Sequence, residues 1–250
     1  MTATVISKLD NGIRSIVLDR PDRLNAINPE LLVDFLEALR EGNADPETKV
    51  MMLSGAGRAF CAGDDLKEFD DQVGTEEETR AYIEAIQDIT REIVLNEKMV
   101  LGAIHGWAVG GGLEWVINCD LAVVAEGTRF FFPEVSLGVF VTGAVTTILP
   151  KIVGLAKAKE MILFGERFDA NQALDWGLAW KVVPEADVMN ETLKAAERIR
   201  DLPEGAVRDL KKVINRACHL DAEAAMKLET DATVRGFLDP ATAERISSFE

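Results

Sequence analysis

Three short segments of this chain place glycines and carboxylates where they could stabilise an anion and move protons. The first is Phe60–Leu66, FCAGDDL, which follows the apolar run Val50–Ser54 and the turn Gly55-Ala56-Gly57-Arg58. A glycine among small and polar residues after a strand lets successive N–H groups converge with no bulky side chain in the way. A tight turn whose aspartate caps a short helix accounts for the same residues. The second is Val109–Trp115, VGGGLEW, where three glycines precede an amphipathic run. Such a helix start carries unpaired N–H groups and a partial positive charge, and Gly111 would point one N–H outward. Glu114 follows one turn later on the same face. Its alternative role is that of a first-turn glutamate answering the helix dipole. The third is Arg129–Gly138, RFFFPEVSLG, in which Pro133 ends an apolar strand and delivers Glu134 at its tip. A carboxyl set against aromatic surface has its charged form disfavoured, as a general acid at neutral pH requires. A surface-turn glutamate is the competing reading.

Other catalytic sets are missing from the sequence. Only two histidines occur, His105 and His219, far apart and outside any triad-like context. Gly55-Ala56-Gly57 is too short for a dinucleotide fingerprint, no phosphate-loop motif occurs, and no His/Cys/carboxylate group has zinc-like spacing. Metal, nicotinamide and nucleotide-triphosphate chemistry lose ground accordingly, and no cofactor is expected.

The elements that must position these segments alternate in type. Thr4–Lys8 and Ile13–Asp19 read as a hairpin around Asn11-Gly12, and Asn28–Asn43 reads as a helix capped by Asn28 with Pro29 as its first residue. Val50–Ser54 is a buried strand, Glu76–Leu95 a long helix, Val100–Ile104 a strand, and Leu121–Ala125 and Arg129–Phe132 two more. Strand, strand, helix recurs, which predicts an α/β layered or spiral core. Beyond about Gly143 the pattern is helical: 144–153, 156–164, 170–174, 185–200, 204–218 and 220–237, with Pro184 and Pro203 at helix starts. The expected division is a core over 1–184 and a helical C-terminal region over 185–250.

A chain of 250 residues, 48% hydrophobic and 28% charged, suits one large soluble domain with a full core. It has no apolar run near the ~20 residues a membrane span needs, so no membrane association is expected. The first residues show no secretory pattern, and a cytoplasmic location is the expectation. Cys61, Cys119 and Cys218 are an odd number without metal spacing and read as reduced thiols. A net charge of −16 works against nucleic acid as a partner, though a cluster of backbone N–H groups can still hold a small anion.

In this order and spacing the three segments resemble the crotonase (enoyl-CoA hydratase/isomerase) superfamily. The resemblance runs from RPDRLNAI (Arg20–Ile27) through FCAGDDLKEF, AIHGWAVGGGLEWVINCD and PEVSLG to AKAKEMILFGERFDANQALDWGLAWKVVP, nearly the whole chain. It implies a spiral of ββα units with a helical C-terminal region of the trimerisation type, assembled as homotrimers or dimers of trimers. It implies an oxyanion hole at the N–H groups of Asp64 and Gly111 and a catalytic pair, Glu114 and Glu134. The substrate would be an acyl-CoA thioester, with coenzyme A part of the substrate, contacted by Arg23, Ala26, Ala62, Asp65, Leu66 and Lys67. The reaction would be hydration of an enoyl-CoA, or its reverse, through an enolate held by the two N–H donors. Double-bond isomerisation and C–C cleavage as in hydratase-lyases are rival fates for the same enolate, and a non-catalytic binding protein on this fold is the rival from another class.

Two positions depart from the hydratase pattern. The oxyanion residue, usually small and apolar, is Asp64 here; its carboxylate would raise a glutamate's pKa, orient a polar substrate or simply face solvent. After Gly138 the chain reads VFVTGAVTT in place of a Pro-Gly-rich turn, which puts Thr142 near the site. Trp107, Trp115, Phe130, Phe132, Phe140 and Thr142 are candidates for an acyl pocket suited to a bulky group, although aromatic residues more often belong to a core.

Overall fold

A computed structural model of the chain describes residues 3–68 and 74–248. Phe69, the last residue of FCAGDDLKEF, lies outside the described residues. The strands are β1 (Val5–Asp10), β2 (Ile13–Leu18), β3 (Val50–Gly55), β4 (Met99–Ile104), β5 (Trp107–Val109), β6 (Leu121–Ala125), β7 (Arg129–Phe131), β8 (Phe168–Asp169) and β9 (Lys181–Val183). β1 and β2 form the expected hairpin, and Asn11 (φ 45°) and Gly12 (φ 79°) supply the two left-handed residues its tight turn needs.

Six strands make a large sheet in the order β1-β2-β3-β4-β6-β9, parallel except for the first pair. β5, β7 and β8 make a small sheet, which single bridges Cys61↔Ala108 and Ile27↔Asp64 extend. Each pass of the chain therefore adds a strand to the large sheet and then a short segment to the small one: β2 then Ile27, β3 then Cys61–Asp64, β4 then β5, β6 then β7. This is the spiral of ββα units that the family resemblance implies, and of the layered and spiral cores that the strand pattern allows it is the spiral.

Helices α1 (Pro29–Ala44), α2 (Glu76–Val94) and α3 (Gly111–Asn118) fill the spiral. Asn28 caps α1 by accepting a hydrogen bond from the Leu31 N–H at 2.9 Å, and the Thr75/Glu78 capping box starts α2. α1 buries Leu31, Leu32, Phe35 and Leu39, α2 buries Ile86, Ile89 and Ile93, and every residue of α3 is buried. Each of the large aliphatic and phenylalanine side chains among them contributes roughly 1.5–3 kcal/mol on leaving water.

Next come α4 (Val145–Val153), α5 (Leu155–Phe164), α6 (Ala170–Asp175), α7 (Val188–Arg200), α8 (Glu204–Ala217), α9 (Ala222–Leu238) and α10 (Pro240–Ser247). α7 lies on the large sheet, with Ala195 and Ala196 against Ile13, Val50, Met52 and Leu101. α8 is tied to the core by the buried Lys211, whose ammonium donates to Ile93 O, Lys98 O and Asp120 Oδ2 at 2.7, 2.7 and 2.8 Å. α9 and α10 bury no residue, and Met226, Val234, Phe237, Leu238 and Ile246 stand exposed.

Several short elements differ from the sequence expectations. β5, β8 and β9 are only two or three residues long, too short for a periodicity signal. The helix expected over 185–200 begins as a 3-10 turn, Glu185–Asp187. α10 exists because Asp239 accepts from the Ala241 N–H at 3.0 Å and Pro240 opens a new helix. No described helix is long and apolar enough to cross a membrane.

Candidate active site

The loop after β3 is held between the chain's first and third passes through the small sheet. Ile27 N–H donates to Gly63 O at 2.8 Å, and Asp65 N–H donates to Ile27 O at 2.8 Å. In a parallel bridge, the residue between two bonded peptides turns its own N–H and C=O the other way. The Asp64 N–H therefore faces away from Ile27. Gly63 adopts φ +82°, and a Cβ there would lie 2.8 Å from Val109 O and 3.8 Å from Gly110 Cα. Any larger residue would push this loop off the glycine run.

Gly110 (φ 51°) precedes α3, so Gly111 is the first helical residue and its N–H has no acceptor within the helix. The two candidate oxyanion donors thus sit on adjacent loops, both held by main-chain bonds.

Glu114 is only 1% exposed. Its Oε1 accepts from the Thr142 N–H at 2.7 Å and its Oε2 from the Thr142 hydroxyl at 2.5 Å. Burial pushes its carboxyl up to about 7, the Thr142 bonds oppose that, and Asp64 adds to it. Asn118, one turn on, donates to Gly143 O at 2.8 Å and accepts from the Thr90 hydroxyl at 2.8 Å, so α2 and α3 together fix the Thr142–Gly143 loop.

Glu134 opens a 3-10 turn, Glu134–Leu137, directly after Pro133 and is 7% exposed. Burial pushes it up to about 7 against its own backbone N–H, and Glu114 and Asp64 raise it further. Its Oε2 is buried without a hydrogen-bond partner. A Cβ at Gly110 would meet Glu134 Oε1 at 2.7 Å, which fixes glycine at the hinge between donor and acid. Asp64 lies at the solvent-facing side of the group: the residue is exposed, the protein around it shifts its carboxyl upward, and Tyr82 donates its hydroxyl to Oδ1 at 3.1 Å.

The residues expected to contact coenzyme A come together in part. Ala26 N–H donates to Arg23 O and Ala62 N–H to Leu24 O, each at 3.0 Å, which aligns the Arg20–Ile27 segment beside the 60–67 loop. Asp65 is buried and receives the Arg23 guanidinium at 2.8, 3.0 and 3.1 Å; burial acts to raise its carboxyl, but Arg23, the Lys67 N–H and Arg20 hold it below the usual range. Leu66 and Lys67 project at the surface from the same loop.

Three of the aromatic residues expected at an acyl pocket, Trp115, Phe130 and Phe132, are core residues. Trp115 follows Glu114 on α3, so it points about 100° around the helix; it packs edge-on against Phe35 with ring centres 4.9 Å apart. Phe130 and Phe132 share the inward face of β7 and its extension, and Phe130 stacks on Phe168 at 5.1 Å. Trp107 packs with Phe131 under the Arg167 guanidinium, and Phe140 is 70% exposed. Of that set, Thr142 is the one bonded to a candidate catalytic carboxyl.

A cavity of about 360 Å³ between α4, α8 and the end of α3, lined by Ile117, Ile148, Ile152, Leu210 and Ile214, contains neither glutamate. Among the described residues no group of three or more His, Cys, Asp or Glu side chains is placed to hold a metal ion. Tyr82 and Asn118 are site residues that the motifs do not mark. Tyr82, the chain's single tyrosine, lies on the α2 stripe that continues through Ile86, Ile89 and Ile93, a signal for the inward face of the helix and not for Asp64.

The geometry can be set against known proteins. The enoyl-CoA hydratase/isomerase family model matches residues 8–244. A short-chain-enoyl-CoA hydratase of Clostridium acetobutylicum is 32% identical over 91% of this chain and 87% of its own length. An enoyl-CoA isomerase/hydratase of Mycosarcoma maydis is 33% identical over 92% and 89%, and a 1,2-epoxyphenylacetyl-CoA isomerase of Escherichia coli is 28% identical over 92% and 89%. The crystal structure of an enoyl-CoA hydratase from Bacillus anthracis superposes with a TM-score of 0.93 at 29% identity, covering 98% of this chain and 95% of that one. With the spiral, the glycine-held donor loops and a match over nearly its full length, the chain belongs to the enoyl-CoA hydratase/isomerase family of the crotonase superfamily.

Proposed function

We propose that the protein hydrates the α,β double bond of an enoyl-CoA thioester, or dehydrates the product. The observation that carries this reading is the unlike bonding of two buried carboxyls, both of which burial pushes up to about 7. Glu114 receives two hydrogen bonds from Thr142, which favour its ionised form, whereas Glu134 Oε2 has no partner. One ionised and one protonated carboxyl across a substrate is the arrangement that adding water requires.

In this reading the thioester carbonyl lies between the N–H groups of Asp64 and Gly111, each worth about 3–4 kcal/mol to the developing oxyanion. Glu114 takes a proton from water as the water oxygen bonds to the β-carbon. The α,β electron pair passes to the carbonyl oxygen, giving the enolate. As the enolate collapses, Glu134 delivers a proton to the α-carbon, and transfer from Glu114 to Glu134 restores the starting state. Arg23, Ala26, Ala62, Asp65, Leu66 and Lys67 are the residues we assign to the coenzyme A end, and a homotrimer or dimer of trimers is the assembly that the exposed apolar side chains of α9 and α10 would serve.

A second reading is double-bond isomerisation. It is favoured by the names of two relatives and by the unpartnered oxygen of Glu134, since one free carboxyl suffices to move a proton between carbons. The test is turnover of crotonyl-CoA by the purified protein, followed by loss of the enoyl-thioester absorbance, with Glu114→Gln and Glu134→Gln. Hydration by the wild type, lost in both variants, supports the first reading. No consumption of crotonyl-CoA, with a 3-enoyl-CoA converted by a Glu134-dependent route, replaces it with the second.

A further inference from the structure

Glu114 and Asn118 are four residues apart on α3, so their side chains share one face, a turn apart. Both reach the loop that leads into α4. Glu114 is met there by the N–H and hydroxyl of Thr142, and Asn118 donates its amide to the carbonyl of the next residue, Gly143, at 2.8 Å. That carbonyl belongs to the peptide joining two left-handed residues, Gly143 at φ 59° and Ala144 at φ 54°. An alanine resists this conformation, which persists only where neighbouring groups hold it. A Cβ at Gly143 would lie 2.8 Å from both Cβ and Oε2 of Glu114, so the strained turn packs directly on the glutamate side chain.

The amide of Asn118 has one orientation in this setting. Gly143 O can only accept, so Nδ2 faces it, and Oδ1 then faces the Thr90 hydroxyl of α2, which donates at 2.8 Å. Asn118 and Thr90 are each only 5% exposed. Asn118 also borders the cavity beside α4, whose nearby walls, Ile117 and Ile148, are apolar. A polar side chain costs free energy against such surfaces unless its bonds are made, and leucine would fill the same space. Packing alone therefore gives no reason for an amide at position 118.

We infer that Asn118, oriented by Thr90, is a positioning residue for Glu114: it fixes the Gly143–Ala144 peptide, and with it the two Thr142 donors that aim the carboxyl. The inference rests on the reading that Glu114 is the working base. Without the Asn118 bond the peptide is free to turn, the left-handed pair relaxes, and Thr142 no longer presents its N–H and its hydroxyl to one carboxylate.

The test compares the full chain with Asn118→Leu and Thr90→Val. The deciding readout is the protonation midpoint of Glu114, followed as the infrared carboxyl band that Glu114→Gln removes, which needs no turnover. Weaker bonding of the ionised form should raise the midpoint by about 0.5–1 pH unit in Asn118→Leu, the effect of losing roughly one hydrogen bond, and by less in Thr90→Val. The carboxyls coupled to Glu114, Asp64 in the loop after β3 and Glu134 in the turn after β7, are the same in all three proteins. In hydration of crotonyl-CoA, kcat of Asn118→Leu should fall roughly 10- to 100-fold with KM within about twofold, as for a misaimed base. A midpoint that stays at the wild-type value overturns the inference whatever happens to kcat, because a purely structural role lowers activity without moving it. If Asn118→Leu does not fold, an unmoved midpoint in Thr90→Val overturns it instead. If the wild type consumes no crotonyl-CoA, the hydratase reading falls and the midpoint alone decides whether Asn118 positions Glu114.

Discussion

Replacing Glu114 by glutamine probes the electrostatics of the site with no substrate present. Burial pushes this carboxyl from its ordinary 4.5 up to about 7 in the fold. Between those values the folded chain holds a proton that the unfolded chain has released, so stability falls as pH rises through the window. A displacement from 4.5 to about 7 corresponds to about 3 kcal/mol, absent below the lower value and complete above the upper one. Glutamine keeps the shape: its Oε1 still accepts from the Thr142 N–H, and its amide donates to the Thr142 hydroxyl, which can turn to accept. The variant should therefore match the wild type near pH 5 and exceed it by up to about 3 kcal/mol at pH 8. For a chain of this size that is a gap in Tm of about 6–12 °C. Denaturant unfolding followed by tryptophan fluorescence at pH 5, 6, 7 and 8 measures it. A gap that is equal at pH 5 and pH 8, or larger at pH 5, refutes the reasoning.

Three further outcomes are expected. Thr142→Val removes one of the bonds that hold the Glu114 carboxyl down and keeps the N–H; the acidic limb of the pH profile of kcat/KM should move up by about one pH unit or more, and an unmoved limb would show that Thr142 does not set it. Gly110→Ala puts a methyl 2.7 Å from Glu134 Oε1 at φ +51° and should lower kcat by about 100-fold, a size typical of a misplaced reacting group, with the far-ultraviolet dichroism retained; near-normal kcat counts against Glu134 as a working acid. Lys211→Met strands Asp120 and two backbone carbonyls and should cost about 3–5 kcal/mol in urea unfolding, whereas a shift below about 1 kcal/mol would mean that the ion pair is weakly coupled to stability.

The sequence was most informative where local chemistry decides structure. Asn11-Gly12 makes its hairpin, Asn28 and Pro29 open α1, and the apolar run Val50–Ser54 reads as the buried strand that β3 is, covered along nearly its whole length and paired in parallel on both sides. The glycine–carboxylate segments were visible for the same reason, since residue type and spacing alone place Gly111 and Glu114 on one helix. Long-range packing was not visible. Nothing in the sequence around Tyr82 marks it as a partner for Asp64, because their meeting depends on how α2 lies across the loop after β3. The aromatics illustrate the same limit: Trp115 sits beside a catalytic candidate in sequence but turns away from it around the helix, and Phe130 follows the alternation of β7 onto Phe168. Thr142 looked like a departure from a pattern, and only the fold reveals it as the partner of both Glu114 oxygens.

The donors proposed at Asp64 and Gly111 are main-chain groups, locked by main-chain bonds such as Ile27 N–H to Gly63 O. Substitution of the Asp64 side chain leaves its amide in place, so in the proposed reaction the steadying of an enolate depends on the backbone path and the glycines that set it. The groups that decide what the enolate becomes are side chains, each exchangeable in one step. A lineage built this way can change its reaction while keeping its hardest step, which fits the presence of both hydratases and isomerases among relatives about 30% identical to this chain.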